Sequence, residues 1–309
     1  MEVTEISYRI IADLLEARTG QQLTESRRWR IGTALSGVFR KHGITNVDQL
    51  VCLLADSAGG ALADEVVEAL LNNETYFFRD RIMFELLGSR VLPDLARKRQ
   101  QTKRLSIWSA GCSTGQEAYS LAMLFADQPN LWQGWTIDIV GTDISQKAIS
   151  GARAAIYNQF EIQRGLSVSQ MLAHFSETSE GWKPTPDLQS RVRFKVRNIL
   201  EEPPVAQKFD LVLCRNVLLY FDDARRTTAF DKISSGLKDD GWLMLGAGET
   251  IVGRTRYFRS AEGHQGLYYH NPKGFCDRSA DKDPFPSRRS PWTSDERASR
   301  KPGINRSLG

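Results

Sequence analysis

Residues 105–125, LSIWSAGCSTGQEAYSLAMLF, pass from an apolar strand-like run through a glycine-containing loop into a helix-like run. That order constrains the fold more than any other feature of the chain. A buried strand, a tight loop and a helix open a doubly wound sheet, and in such sheets the loops at the carboxyl ends of the strands bind the ligand. The chain continues in kind after about Lys103. Strands are expected at 105–110, 137–141, 192–196, 211–214 and 242–245, with helical runs between them. This alternation predicts an α/β fold with a mostly parallel sheet covered on both faces. Between 157 and 191 the rhythm breaks: the helix-like SVSQMLAHF leads into the turn-rich SETSEGWKPTPDLQ, which reads as an insertion.

The loop lacks the lysine and hydroxyl of a phosphate-binding P-loop, and Gly111 and Gly115 do not make G-x-G-x-x-G. Glu117 then falls in the first turn of the helix, where its charge would repel a pyrophosphate and welcome a cation. Thr114 and Glu117 also have capping-box spacing, and the motif alone supports either reading equally. Asp143 ends the second expected strand, where an acid can accept hydrogen bonds from two ribose hydroxyls; a helix N-cap is its structural alternative. Asn198-Ile199 follows the third strand and could read an adenine edge, although such a dipeptide also suits an ordinary loop. Two further segments, NNETYFFRD (72–80) and FDLVLCRNVLLYFDD (209–223), mix aromatics with arginine. Phe77, Phe78, Leu218 and Phe221 read as packing, whereas Arg79, Arg215 and Tyr220 offer donors for a carboxylate.

Residues 6 to about 71 carry apolar residues at helical spacing, for example Ile10, Ile11, Leu14 and Leu15, and predict a small all-helical unit. Thr24-Glu25-Ser26 is expected to open a second helix bearing Arg27, Arg28, Arg30, Arg40 and Lys41. That basic face is either a solvated surface or a docking surface for an acidic helix. The formal net charge of +4 has a local origin, since beyond Asn271 nine Lys/Arg face five Asp/Glu and the rest of the chain holds 32 of each. The segment 271–309 is expected to be a disordered basic tail. Cys52, Cys112, Cys214 and Cys276 show no metal-ligand spacing and read as reduced thiols, with no metal site. Neither a secretory signal nor a spanning segment is visible, so a cytoplasmic protein is expected.

In combination these residues resemble the CheR family of chemotaxis receptor methyltransferases, over about 6–269. Asn73, Thr75 and Arg79 fit the family's N-L-T-x-F-F-R element, and Glu117 fits its cofactor loop. Asp143, then Asn198-Ile199, then Arg215-Asn216 with Tyr220 follow in the family's order. Gly111 stands where the family commonly has alanine, Gln116 replaces an acidic residue, Ala118 a proline and Glu74 a leucine.

The resemblance implies a helical docking domain (1–75) and a class I, Rossmann-like S-adenosylmethionine-dependent methyltransferase domain (76–270). Within the latter, 157–191 would be a small inserted antiparallel β-subdomain. The implied reaction moves a methyl group from S-adenosyl-L-methionine to receptor glutamates, leaving S-adenosyl-L-homocysteine. The resemblance gives Arg79 and Tyr220 the catalytic, substrate-facing roles. It implies that the cofactor is bound by Asn73, Thr75, Arg79, Glu117, Asp143, Asn198, Ile199, Arg215 and Asn216. The expected partners are the cytoplasmic signalling helices of a methyl-accepting receptor, met by a monomer without membrane insertion or nucleic acid. Pro184 and Pro186 further predict that the insertion does not grip a receptor peptide by strand addition. A catalytically weak adaptor that binds the same cofactor is the alternative, against which Arg79 and Tyr220 argue. A nucleic-acid methyltransferase is disfavoured by the balanced charge outside the tail.

Overall fold

The computed structural model describes residues 4–56, 60–261 and 263–273. Cys276 and residues 274–309 of the expected tail lie outside them. Five helices come first: α1 (Glu5–Thr19), α2 (Arg30–Ala34), α3 (Ser36–His42), α4 (Val47–Asp56) and α5 (Ala61–Leu70). Thr4 caps α1 by accepting from the Ser7 N–H at 3.3 Å, and Gly20 ends it in the left-handed region. The apolar stripe of α1, Ile11 and Leu15, is buried against Ile31, Leu35, Leu50 and Val66 from the other helices. Burying such side chains away from water stabilises the unit by roughly 1.5–3 kcal/mol each, which is what holds helices this short together.

The second helix departs from expectation. Thr24 makes no side-chain cap; a single turn of 3-10 helix over Glu25–Arg27 precedes α2, and Leu35 separates α2 from α3. The basic residues therefore do not form one face. Arg28 pairs with Glu5 at 2.9 Å, and Lys41 with Glu65 at 2.6 Å, whereas Arg27 lies with its guanidinium 4.4 Å from the centre of the Tyr220 ring.

α6 (Arg81–Leu86) and α7 (Leu92–Lys98) lead to β1 (Arg104–Ala110), α8 (Gln116–Ala126), β2 (Thr136–Asp143) and α9 (Gln146–Ala154). The insertion follows as α10 (Gln159–Gln163), α11 (Val168–His174), β3 (Phe175–Thr178), β4 (Gly181–Pro184) and α12 (Pro186–Ser190). β5 (Val192–Val196), β6 (Phe209–Cys214), α13 (Asp223–Gly236), β7 (Leu237–Leu245), β8 (Phe258–Ser260) and β9 (Leu267–His270) complete the order. One sheet runs β5-β2-β1-β6-β7-β9-β8, parallel from β5 to β7 and antiparallel through β9 and β8. This is the mostly parallel, doubly wound sheet that the alternation predicts, with an antiparallel pair added at one edge. Each of the five expected strands is present. β8 and β9 had no periodic signal, being three and four residues long at one edge.

The chain goes outward from β1 to β2 and β5 on one side and from β6 to β7 on the other, so β1 and β6 flank the switch point where a crevice must open. At the far ends of these strands the buried Asp210 fastens the sheet. It accepts from the Ser106 N–H at 2.9 Å and pairs with Arg99 at 2.6 Å and Lys238 at 2.9 Å. In the insertion β3 and β4 form an antiparallel hairpin. The other edge of β4 is taken by Tyr157, which exchanges backbone bonds of 2.9 and 2.8 Å with Trp182. Among the described residues no helix is long and apolar enough to cross a membrane.

Candidate active site

Four chain segments meet at the carboxyl ends of β1, β2 and β6 and enclose a cleft of about 760 Å³, counting its open mouth. Asn73, Thr75 and Arg79 reach it from the link between α5 and α6, Glu117 from the first turn of α8, and Asp143 from the end of β2. Arg215, Asn216 and Tyr220 come from the turn after β6. Eight of the residues singled out in the sequence are thus brought together. Asn198 and Ile199 are not among the lining residues. The Asn198 carboxamide donates to the Thr19 carbonyl and accepts from the Leu200 N–H, both at 3.0 Å, and Ile199 is buried in the core beside α13.

Three of these segments bend through backbone conformations that L-residues avoid. Phe78 (φ 50°), Asp80 (φ 59°), Ser113 (φ 51°) and Asn216 (φ 60°) are all left-handed, at a cost of about 1–3 kcal/mol each. Specific partners hold them there. The Phe78 N–H donates to Ser120 Oγ at 2.9 Å while its ring meets Phe84 edge-on, and the Ser113 N–H donates to Asp143 at 2.9 Å. Gly111, at φ 80°, explains its own departure from alanine, because a Cβ there would lie 2.2 Å from Val217 Cγ2. Another departure, Glu74, turns its carboxylate out to Arg164 at 2.8 Å.

Arg215 is the junction of the cleft. Its buried guanidinium donates to Glu117 at 3.0 Å, Asp80 at 2.6 Å and the Arg79 carbonyl at 2.7 Å. Glu117 also accepts from Ser109 Oγ at 2.7 Å, so it is an ion-pair partner and not the capping-box glutamate. Gly115 caps α8 without any side-chain bond. Glu117 and Asp80 thus neutralise the buried guanidinium, and of the two only Glu117 belongs to the lining of the cleft.

Asp143 accepts from two backbone donors, Ser113 N–H and Ser145 N–H, each at 2.9 Å. The N-cap of α9 is Ser145, not Asp143. Burial raises the Asp143 pKa above the usual aspartate range; these N–H bonds lower it, and the nearby Glu68 charge raises it again. Ser145 in turn donates to Glu68 of α5 and accepts from Asn73 at 3.0 Å, so the helical unit and the sheet share one polar network at this wall.

Arg79 donates to the Glu74 carbonyl at 3.0 Å, and among the described residues no carboxylate pairs with it. Tyr220 receives a 2.6 Å bond on its hydroxyl from Asn72 and lies beneath the Arg27 guanidinium at the rim. Asp80, Ser109, Ser113 and Ser145 were not singled out in the sequence. The serines carry no signal of their own because their work is done through backbone groups or hydroxyls, while Asp80 could have been found by asking what neutralises a buried arginine.

The cleft fits a cofactor with cationic and zwitterionic groups. Among the described residues, the buried Arg215 Nε donor and the neighbouring buried Asn216 Oδ1 acceptor have no protein partner. Leaving buried polar atoms unpaired costs about 1–3 kcal/mol each, and a carboxylate-plus-ammonium group would satisfy one of each kind. Glu117 with Arg215 and Asn216, and Asp143, supply the remaining complement of charge and acceptors.

The CheR methyltransferase S-adenosylmethionine-binding domain matches residues 73–267. Chemotaxis protein methyltransferase 1 of Pseudomonas aeruginosa is 34% identical over 273 residues, covering 87% of this chain and 99% of that protein. Chemotaxis protein methyltransferase Cher2 of Pseudomonas putida is 33% identical with the same coverage, and a chemotaxis protein methyltransferase of Vibrio anguillarum is 31% identical over 86% of this chain and 97% of its own. With a matched domain that spans every cleft residue from Asn73 to Tyr220, the chain belongs to the CheR methyltransferase family and takes S-adenosylmethionine as its cofactor.

Proposed function

We propose that the protein methylates glutamate side chains on the cytoplasmic signalling helices of a methyl-accepting chemotaxis receptor, forming glutamyl methyl esters. Relatives along nearly the whole chain are named chemotaxis protein methyltransferases, which supports the pathway. The observation that carries the chemistry is Arg79, a guanidinium at the cleft with no carboxylate partner among the described residues. An ionised acceptor carboxylate would supply that partner.

A glutamate side chain is already ionised at neutral pH, its ordinary pKa being about 4.3, so no general base is needed. The cleft agrees with this requirement. Among the described residues no histidine lines it, and its three carboxylates are committed, Glu74 to Arg164, Glu117 to Arg215 and Ser109, and Asp143 to two backbone N–H groups. S-adenosylmethionine supplies an activated methyl group on a sulfonium. Arg79 would orient the acceptor oxygen toward it, with Tyr220 as the second substrate-facing group. Asn73 and Thr75 would line the cofactor's flank. Arg215, Asn216 and Glu117 would hold its amino-acid end, and Asp143 its ribose hydroxyls. The reading gives the adenine edge to the Asn198-Ile199 backbone, since the Asn198 carboxamide is engaged. Holding reactants in line is worth several kcal/mol without acid–base help. The reaction would take place in the cytoplasm, on the receptor helix itself and without a peptide tether.

The acceptor assignment is tested with labelled cofactor and receptor signalling helices. Label transferred to a glutamyl ester comes off as methanol in mild alkali; label that survives alkali contradicts the assignment. In the same assay Arg79→Ala, and largely Arg79→Lys, should lower kcat about a hundredfold, or about 2.7 kcal/mol of transition-state stabilisation, because lysine lacks the planar fork. A lowered Tm with full kcat in the folded fraction would make Arg79 structural.

Asp143 gives a pH prediction for S-adenosylhomocysteine binding. Only the ionised carboxylate accepts both hydroxyls, and the raised pKa means that free protein binds the proton at a higher pH than an ordinary aspartate. Affinity should therefore rise as pH increases through that raised value and level off above it. Asp143→Ala should weaken binding by about 1–3 kcal/mol and remove this pH dependence. Calorimetry across pH that finds wild-type affinity in the folded variant would remove Asp143 from the site.

A further inference from the structure

Glu249 stands just past β7, outside the lining of the cleft, in a segment that the sequence did not single out. Its side chain is buried, and its carboxylate accepts four backbone N–H bonds. Oε2 takes those of Asn216 and Gly246, both at 2.8 Å, and Oε1 takes those of Val217 at 2.9 Å and Leu218 at 2.8 Å. Three consecutive N–H groups pointing at one place make a concave anion site, which here is filled by the protein's own anion. A carboxylate offers about four lone-pair positions, so Glu249 has no capacity left to touch a ligand.

The turn held in this way is the one that carries Arg215, Asn216 and Tyr220. Asn216 is left-handed within it, a conformation that its own chain would not prefer. Gly111 presses on the turn from the cofactor loop, since Val217 fills the space a Cβ would need, and Gly246 is also close, with a Cβ there 2.9 Å from Glu249 Oε2 and 3.0 Å from the Asn216 nitrogen. The short helical turn Leu218–Tyr220 begins at the last of the bonded N–H groups and ends at the tyrosine.

We propose that Glu249 is a positioning residue for methyl transfer, whose carboxylate shapes the 215–220 turn so that Arg215, Asn216 and Tyr220 face the cleft together. The inference rests on the reading that this cleft holds the cofactor beside the acceptor, and it deepens that reading with a group that touches neither. Glu249→Gln keeps the size but sets an NH₂ donor against two backbone donors, opening the turn. Glu249→Asp keeps the charge but falls one methylene short, so that only part of the cradle can be rebuilt.

The test is calorimetric titration with S-adenosylhomocysteine, paired with kcat at saturating cofactor and acceptor, on full-length protein shown by circular dichroism to be folded at the assay temperature. Asp210→Asn serves as the control, a buried carboxylate at the opposite end of the sheet whose loss should lower Tm and leave cofactor affinity unchanged. For Glu249→Gln the expected result is a dissociation constant raised at least tenfold, about 1.4 kcal/mol, and a reduced kcat even at saturation, since Tyr220 rides on the same turn. Glu249→Asp should recover part of both. If Glu249→Gln does not fold, Glu249→Asp carries the test, with a rise of at least threefold expected. Affinity and kcat equal to wild type in the folded variants, with only Tm lowered as in Asp210→Asn, would overturn the proposal. Because binding is read without any protein acceptor, failure of the glutamate reading would appear separately, as wild-type protein that binds S-adenosylhomocysteine but leaves receptor helices unlabelled.

Discussion

The cleft depends on one buried cation. Arg215 has a side chain 1% exposed and meets Glu117, Asp80 and the Arg79 carbonyl at once. Burying a guanidinium is costly unless its hydrogen bonds are met, and Arg215, at the end of β6, finds its partners in two distant parts of the chain, the first turn of α8 and the link into α6. A lysine gathers its three donors on one nitrogen, whereas the guanidinium reaches Glu117 with Nη1 and Asp80 and the Arg79 carbonyl with Nη2. The two carboxylates neutralise the cation, and the same cluster fixes Glu117 in the lining of the cleft, where a cationic group of the cofactor can meet it. The unpaired Nε of Arg215 beside the unpaired Oδ1 of Asn216 is what such a cofactor would complete.

Around that cluster the fold supplies rigid placement. The parallel strands end together, and their loops turn through left-handed residues that are held by side chains from neighbouring elements rather than by local preference. The polar wall shared by Glu68, Ser145, Asn73 and Asp143 joins the helical unit to the sheet beside the cleft. Further along the same border, Arg225 pairs with Glu16, and the Gln22 N–H donates to the Tyr220 carbonyl at 2.7 Å. Helices that could only be marginal alone are thereby tied to the loops that bind the ligand.

Much of this was legible in the sequence because buried parallel strands are written as apolar runs. β1, β2, β5, β6 and β7 all carry them, and charged or polar residues at their carboxyl ends, Asp143 and Arg215 above all, mark the crevice. What could not be read depends on backbone groups or on tertiary pairing. Glu249 resembles any loop acid until four N–H donors converge on it. Thr114 and Glu117 have capping-box spacing, but the pull of Arg215 turns the glutamate into the cleft. Arg28 and Lys41 belong to a basic stretch in sequence, yet Glu5 and Glu65, brought near by folding, neutralise them. Local patterns gave the elements; contacts between distant residues decided what the side chains do.

The most direct measurement is the affinity of Arg215→Lys for S-adenosylhomocysteine, by calorimetry on protein with a native circular dichroism spectrum. Charge is conserved in this variant, and only the fork that joins Glu117, Asp80 and the Arg79 carbonyl is lost. If the buried guanidinium organises the cleft, affinity should fall by about a hundredfold, or about 2.7 kcal/mol. Binding as tight as wild type would contradict the claim that this junction shapes the cofactor site.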